Sequence, residues 1–220
     1  MNTKKESIFY VDKIKKTFLN DYVAFHKNSF KEENNLSILV GDEFLKKTYM
    51  FFLKDPLSFG YVAIKNGNII GMISGRLDYY SEDLNKYWPR RISFLKWIVL
   101  NPLSIIRFNK LRSRLFLISK NIILKFFLSN KNNMTAPSHI DNGTATLASL
   151  SVLNNSKSSI VAESLVSKAE EFCKINKKKI IRTGVSNDNI KARFFYRKRG
   201  YVIDEVLGEN LGSIFMYKEL

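Results

Sequence analysis

The chain is poor in the residues that build covalent or metal-stapled scaffolds. One cysteine, Cys173, in 220 residues excludes a disulfide framework and a cysteine-built zinc cluster. Mid-helix in an apolar pattern, it reads as an inert, buried thiol. The only two histidines, His26 and His139, lie far apart in sequence, so a histidine-rich metal centre is not expected. Long apolar runs are also missing. The stretches Ile92–Ile106 and Leu115–Leu128 are broken by Lys96, Pro102, Lys120 and Lys125, short of the roughly 18–20 apolar residues a membrane helix needs. The polar start, Met1–Glu6, is followed by no apolar core, so no signal peptide is expected and a reducing, cytoplasmic compartment follows. Most conspicuously, Asp and Glu are absent from Leu84 to Ile140.

What is present suits one generous α/β domain spanning 1–220 with an insertion at 79–140. Hydrophobic residues make up 45% of the chain and aromatics 13%, ample for a core and incompatible with wholesale disorder. The formal charge is +16, and the acid-free segment supplies eleven of those charges, from Lys86 to Lys131. The protein thus reads as a nearly ordinary domain with a cationic segment set into it.

Periodicity gives the elements. Ser7–Val11 is predicted as a short strand and Asp12–Phe30 as an amphipathic helix with Ile14, Phe18, Tyr22 and Phe25 on one face. Gly41–Leu53 is a second helix, stopped by Asp55–Pro56 because the residue before proline disfavours helical backbone. Tyr61–Ile64 and Ile69–Leu77 flank Lys65-Asn66-Gly67-Asn68, a β-hairpin signature. After the cationic segment come a strand (Thr144–Leu153), a helix (Ile160–Ile175), a strand (Lys179–Val185), a helix (Ile190–Lys198) ended by Gly200, and strands at Tyr201–Val206 and Ser213–Lys218. That alternation predicts a mixed sheet, partly parallel, flanked by helices.

Chemistry enters at Asn189-Ile-Lys-Ala192-Arg-Phe-Phe-Tyr196-Arg-Lys-Arg-Gly200-Tyr201. Ala192 and Tyr196, four apart, share a helix face, and Asn189 stands where the helix begins and can cap it or reach a ligand. The bland reading of Phe195 and Tyr196 is core aromatics before a glycine stop. The spacing of Asn, Ala, Phe-Tyr and Gly-aromatic resembles the closing motif of the Gcn5-related (GNAT) N-acetyltransferases. The resemblance implies the GNAT acyl-CoA acyltransferase fold, with the basic helical insertion between strands 3 and 4. It further implies an acetyl-CoA or other acyl-CoA co-substrate, Asn189 and Ala192 beside the pantetheine arm, and Tyr196 as general acid toward the departing thiolate.

In the same family a diphosphate-binding loop follows the fourth strand. Its counterpart here is Lys157-Ser158-Ser159-Ile160-Val161-Ala162, where helix-opening amides can meet a diphosphate. Ile160 stands where the family's key glycine belongs, which reduces the expected backbone access. A plain serine-capped strand–turn–helix reads equally well from these residues. Leu150, Ser151 and Val152 are expected to offer backbone groups to the donor where the family splays two strands. The position often held by a catalytic glutamate is Thr146, which cannot act as a base near neutral pH. His139, Asp141, Asp78, His26 and Glu43 are the remaining candidates.

The expected function is N-acyl transfer from coenzyme A to a primary amine. Leu36–Phe52 is similar to a subgroup associated with bacterial surface-polysaccharide and amino-sugar acetylation, making a nucleotide-linked amino sugar one candidate acceptor. The insertion, with Trp88, Phe94, Trp97, Phe116 and Phe126, suits an anionic membrane surface through residues 84–131, or a lid over a phosphorylated substrate. Equally, it could pack on the sheet or on a second copy in a homodimer. Nucleic-acid binding fits the charge but lacks a motif. A catalytically impaired GNAT-like binding module is the alternative of a different class, and a long-chain acyl donor is a further one.

Overall fold

The structure is a computed structural model that describes residues 9–30, 38, 41–78, 143–153, 158–205, 209–210 and 213–220. The expected insertion 79–140, the candidates His139 and Asp141, and Lys157 lie outside these residues.

The N-terminal strand β1 runs Tyr10–Lys13, later than expected, because pairing with the hairpin keeps the chain extended. The Ile14 amide still bonds to the Gly60 carbonyl at 3.0 Å. A 3-10 turn at Lys16–Phe18 then leads into helix α1, Leu19–Ser29. Helix α2, Asp42–Lys54, has Asp42 and Glu43 in its first turn and Lys54 in its last, each favourably placed on the helix dipole.

Strands β2 (Ser58–Lys65) and β3 (Asn68–Arg76) form the expected hairpin. Asn66 at φ 51° and Gly67 at φ 76° both sit in the left-handed region, the signature of a tight turn matched to strand twist. Strand β4 is Thr144–Val152, helix α3 Ser158–Ile175, strand β5 Ile180–Ser186 and helix α4 Ile190–Lys198. The chain closes with β6 (Val202–Ile203), β7 (Glu209–Asn210) and β8 (Ser213–Glu219).

The expected strand Tyr201–Val206 is thus cut to two residues. Asp204 turns inward instead, where Arg182 Nε meets its carboxylate at 2.9 Å, both side chains buried. Strand β7, pairing with β8 through Glu209 and Asn210, has no counterpart in the sequence expectation.

Among the described residues the eight strands make one sheet in the order β1-β2-β3-β4-β5-β8-β6, with β7 pairing alongside β8. Only β4–β5 is parallel. Alternation along β2 divides the core. Phe59, Tyr61 and Ala63 face α3, with Val161, Leu165, Val166, Ala169 and Cys173. Val62 and Ile64 face α1 and α2, with Tyr22, Val23, Phe25, Leu45 and Tyr49.

Two contacts hold α3 in position. At its start, Gly71 of β3 lets it come close: a Cβ there would lie 2.7 Å from Val161 Cγ1 and 3.0 Å from Leu165 Cδ1. In its middle, the buried Glu170 carboxylate gathers Arg199 Nη2 at 3.1 Å, Lys218 Nζ at 3.0 Å and the Tyr201 hydroxyl at 3.2 Å. These bonds tie the end of α4 and strand β8 to the same helix. No helix among the described residues is long and apolar enough to cross a membrane.

Gly71→Ala should therefore cost about 1–3 kcal/mol, because short, buried side chains must yield to the added methyl. Urea unfolding of the variant beside the wild type checks this, with a lowered midpoint at an unchanged slope expected.

Candidate functional site

The sheet parts in its middle. Strands β4 and β5 pair from Thr144–Ile180 to Leu147–Thr183, and there the pairing stops. Beyond that point β4 stays with β3 as far as Val152, and β5 stays with β8 as far as Ser186. A bulge coincides with the parting. Ser74 pairs with Ser149 and Gly75 with Leu147, leaving Ala148 as the extra residue that bends β4 away. The result is a V-shaped opening with roughly 16 Å of β4 backbone along one arm.

A cleft of about 790 Å³ occupies this opening. One side is Ala148–Val152, Thr183–Ser186, Ser158, Ser159 and Ala162 at the start of α3, and Asn189, Lys191, Ala192, Phe195 and Tyr196 from α4. The other is supplied by α1 and α2 through His26, Phe30, Leu45, Thr48, Tyr49 and Phe52, with Ser74 from β3.

Most of the sequence-predicted residues converge here. Leu150, Ser151 and Val152 lie on the parted strand, and Ser158, Ser159 and Ala162 line the cleft at the helix opening. The first four amides of any α-helix have no intrahelical acceptor, so this end presents donors to whatever lies before it. Asn189 lines the cleft and also caps α4, its Oδ1 accepting from the Ala192 amide at 3.0 Å.

Two positions fall elsewhere. The Val161 side chain is buried in the core, leaving only its backbone for a ligand. Ile160 is 52% exposed and is not a lining residue, so its side chain stays out of the cleft that the missing glycine was expected to open.

Tyr196 lines the cleft yet is only 4% exposed, packed on Tyr201 with ring centroids 5.0 Å apart. The residue therefore lines the cleft and packs in the core at once. Burial pushes its phenol up to about 12, partly opposed by a hydrogen bond with Thr183 and by the nearby Arg199 charge. Thr183 belongs to the last β4–β5 pair, so the phenol sits at the apex of the V.

The base candidates separate clearly. The Thr146 hydroxyl donates to the Asp78 carbonyl at 3.2 Å. The Asp78 carboxylate takes both Arg76 Nε and Nη2, at 2.7 and 2.8 Å. Glu43 is exposed and faces Lys47 across 3.7 Å. Only His26 of the described candidates reaches the cleft, where its Nδ1 lies 2.7 Å from the Tyr49 hydroxyl. Burial keeps that phenol protonated well above the usual tyrosine range.

Sequence reasoning missed Thr48, Tyr49, Phe52 and the Ser74–Ser149 hydroxyl pair, 2.8 Å apart. The helical residues carried only a core-facing periodicity, and the serines nothing that set them apart from other strand residues. Among the described residues no group of three or more His, Cys, Asp or Glu could hold a metal ion.

The Tyr196 phenol prefers its proton in the folded state, so its contribution to stability is complete below its ordinary value of 10.0. It is lost as pH rises from there to about 12. Unfolding measured across this alkaline range should fall more gently for Tyr196→Phe, by up to about 1.4 kcal/mol per pH unit.

No family model matches the chain, and no curated protein matches it. Solved structures do. PaiA N-acetyltransferase from Thermoplasma acidophilum, in complex with coenzyme A, superposes with a TM-score of 0.58 at 13% identity over 97% of this chain and 99% of that one. An acetyltransferase of the GNAT family from Staphylococcus aureus Mu50 gives 0.57 at 14% identity, with 97% and 99% covered. Aminoglycoside 6'-acetyltransferase type Ii gives 0.55 at 12% identity, with 96% of each chain covered. Superposition over 96% or more of this chain and of each of these structures gives the chain the fold of the GNAT N-acetyltransferases.

Proposed function

We propose that the chain is an acyl-CoA-dependent N-acyltransferase that moves an acetyl or other short acyl group to a primary amine. An amino sugar is among the acceptors we put forward. The observation that carries this reading is the V between β4 and β5, bounded by the start of α3, by Asn189 and by Tyr196. Backbone groups of Ala148–Val152 would pair with the amides of an extended pantetheine arm, and the amides opening α3 would face its diphosphate. Coenzyme A supplies the activated thioester, and this chain's residues supply alignment and proton management.

In the reaction the amine nitrogen bonds to the thioester carbon as the carbon–sulfur bond breaks. His26 takes the proton that nitrogen sheds, in the tautomer whose Nδ1–H donates to Tyr49, and the departing thiolate later regains a proton from solvent. Tyr196 acts on sulfur. A phenol held near 12 does not surrender its proton readily to a thiolate whose thiol titrates near 8.5. Its help is a hydrogen bond that strengthens as charge gathers on sulfur.

Calorimetry with acetyl-CoA tests the first step. Binding at micromolar donor is expected, whereas silence at millimolar donor favours a non-catalytic binding module. Tyr196→Phe should lower kcat about 100-fold with donor affinity unchanged, and an unaltered rate removes its role. His26→Gln should lower kcat about 100-fold, read by thiol release at saturating donor and amine.

A further inference from the structure

The α1–α2 side of the cleft is aromatic and apolar, formed by Phe30, Leu45, Tyr49 and Phe52, with Thr48 and His26 as its polar groups. The sheet adds the Ser74 and Ser149 hydroxyls. Among the described residues that line the cleft none is Asp or Glu, and Lys191 carries the one full charge. Among the described carboxylates near the cleft, Asp55 and Asp78 pair with Arg76 and Asp42 pairs with Lys27, while Asp188, next to Asn189, is exposed and does not line the cleft. The whole chain bears a formal +16.

Resting on the acyl-transfer reading, we infer that the acceptor is an amine with a single positive charge on a neutral or anionic body, and that polyamines and aminoglycosides are rejected. A second ammonium brought against these walls would lose its water and meet no carboxylate among the described lining residues, a penalty that desolvated charges repay only when paired. The net positive field adds to it at a distance. The same surroundings help a monoamine react. Burial against aromatic rings and a positive field both disfavour the ammonium form, so more of the acceptor reaches the thioester as free amine. A site built for polycations does the opposite: its carboxylates hold the ammonium charged and then require a strong base. The absence of a base at Thr146 fits an environment that has already loosened the proton.

The test uses the full chain saturated with coenzyme A, titrated calorimetrically with tyramine and D-glucosamine on one side and spermidine and kanamycin on the other. Thiol release from acetyl-CoA is followed with the same four amines. Heats from the monoamines alone, and a kcat/KM at least about 100-fold above the polycations, are expected. Equal or better binding or turnover of spermidine or kanamycin overturns the inference, as does donor binding with no response to any of the four. Acetyl-CoA that fails to bind at all instead removes the acyl-transfer reading. Thr48→Asp, which sets a carboxylate on the apolar wall, should shift the spermidine-to-tyramine ratio of kcat/KM upward about 10-fold. A folded variant with an unmoved ratio also counts against the inference.

Discussion

The parting of β4 from β5 is the constraint on which the rest of the molecule depends. A continuous sheet would bury the backbone of Ala148–Val152 in pairing with β5 and leave no room between the two layers of helices. The bulge at Ala148 ends that pairing after Leu147 and Thr183 without ending either strand, since each keeps its outer neighbour. Polar backbone then lines an opening at the centre of the fold, which a folded protein tolerates only where something else can meet it.

Each wall of the opening is held by a different kind of force. Close packing sets the start of α3, through the missing side chain at Gly71 and the buried Val161 and Leu165. Charge sets the far side, where Glu170 draws Arg199, Lys218 and Tyr201 together and so fixes the turn that follows α4. Tyr196 lies between these anchors, packed on Tyr201 and hydrogen-bonded to Thr183. Its position is therefore determined by the core, and its chemistry follows from that position: the burial that seats the ring also keeps its proton on.

Much of this was legible in the residues. The hairpin turned on Asn66 and Gly67, and α4 spans Ile190–Lys198 as expected because Asn189 caps it and Gly200, at φ 85°, ends it. The side of the cleft built by β4, α3 and α4 could be read because its residues are contiguous and locally patterned. The side built by α1 and α2 could not. Phe52 and Tyr49 look like any helix face turned inward, and whether an inward face meets sheet or cleft depends on where the strands part, a long-range property. Asp204 was misread for a related reason, since its partner Arg182 lies 22 positions earlier and two strands away in the sheet. Ile160, at the position where the family's glycine was expected, turns its side chain to solvent, a direction that follows from where α3 begins and not from residue type.

A sheet that divides internally has an inner margin in addition to its two outer ones. Any extended segment of suitable length can complete such a margin, including a strand from another molecule. A guest filling the V would do two jobs at once: it would stand as the missing strand of the host's own architecture, and its occupancy would stabilise the host by mass action. For this protein, closing the inner margin would then hide the same backbone that an intruding strand would otherwise seek.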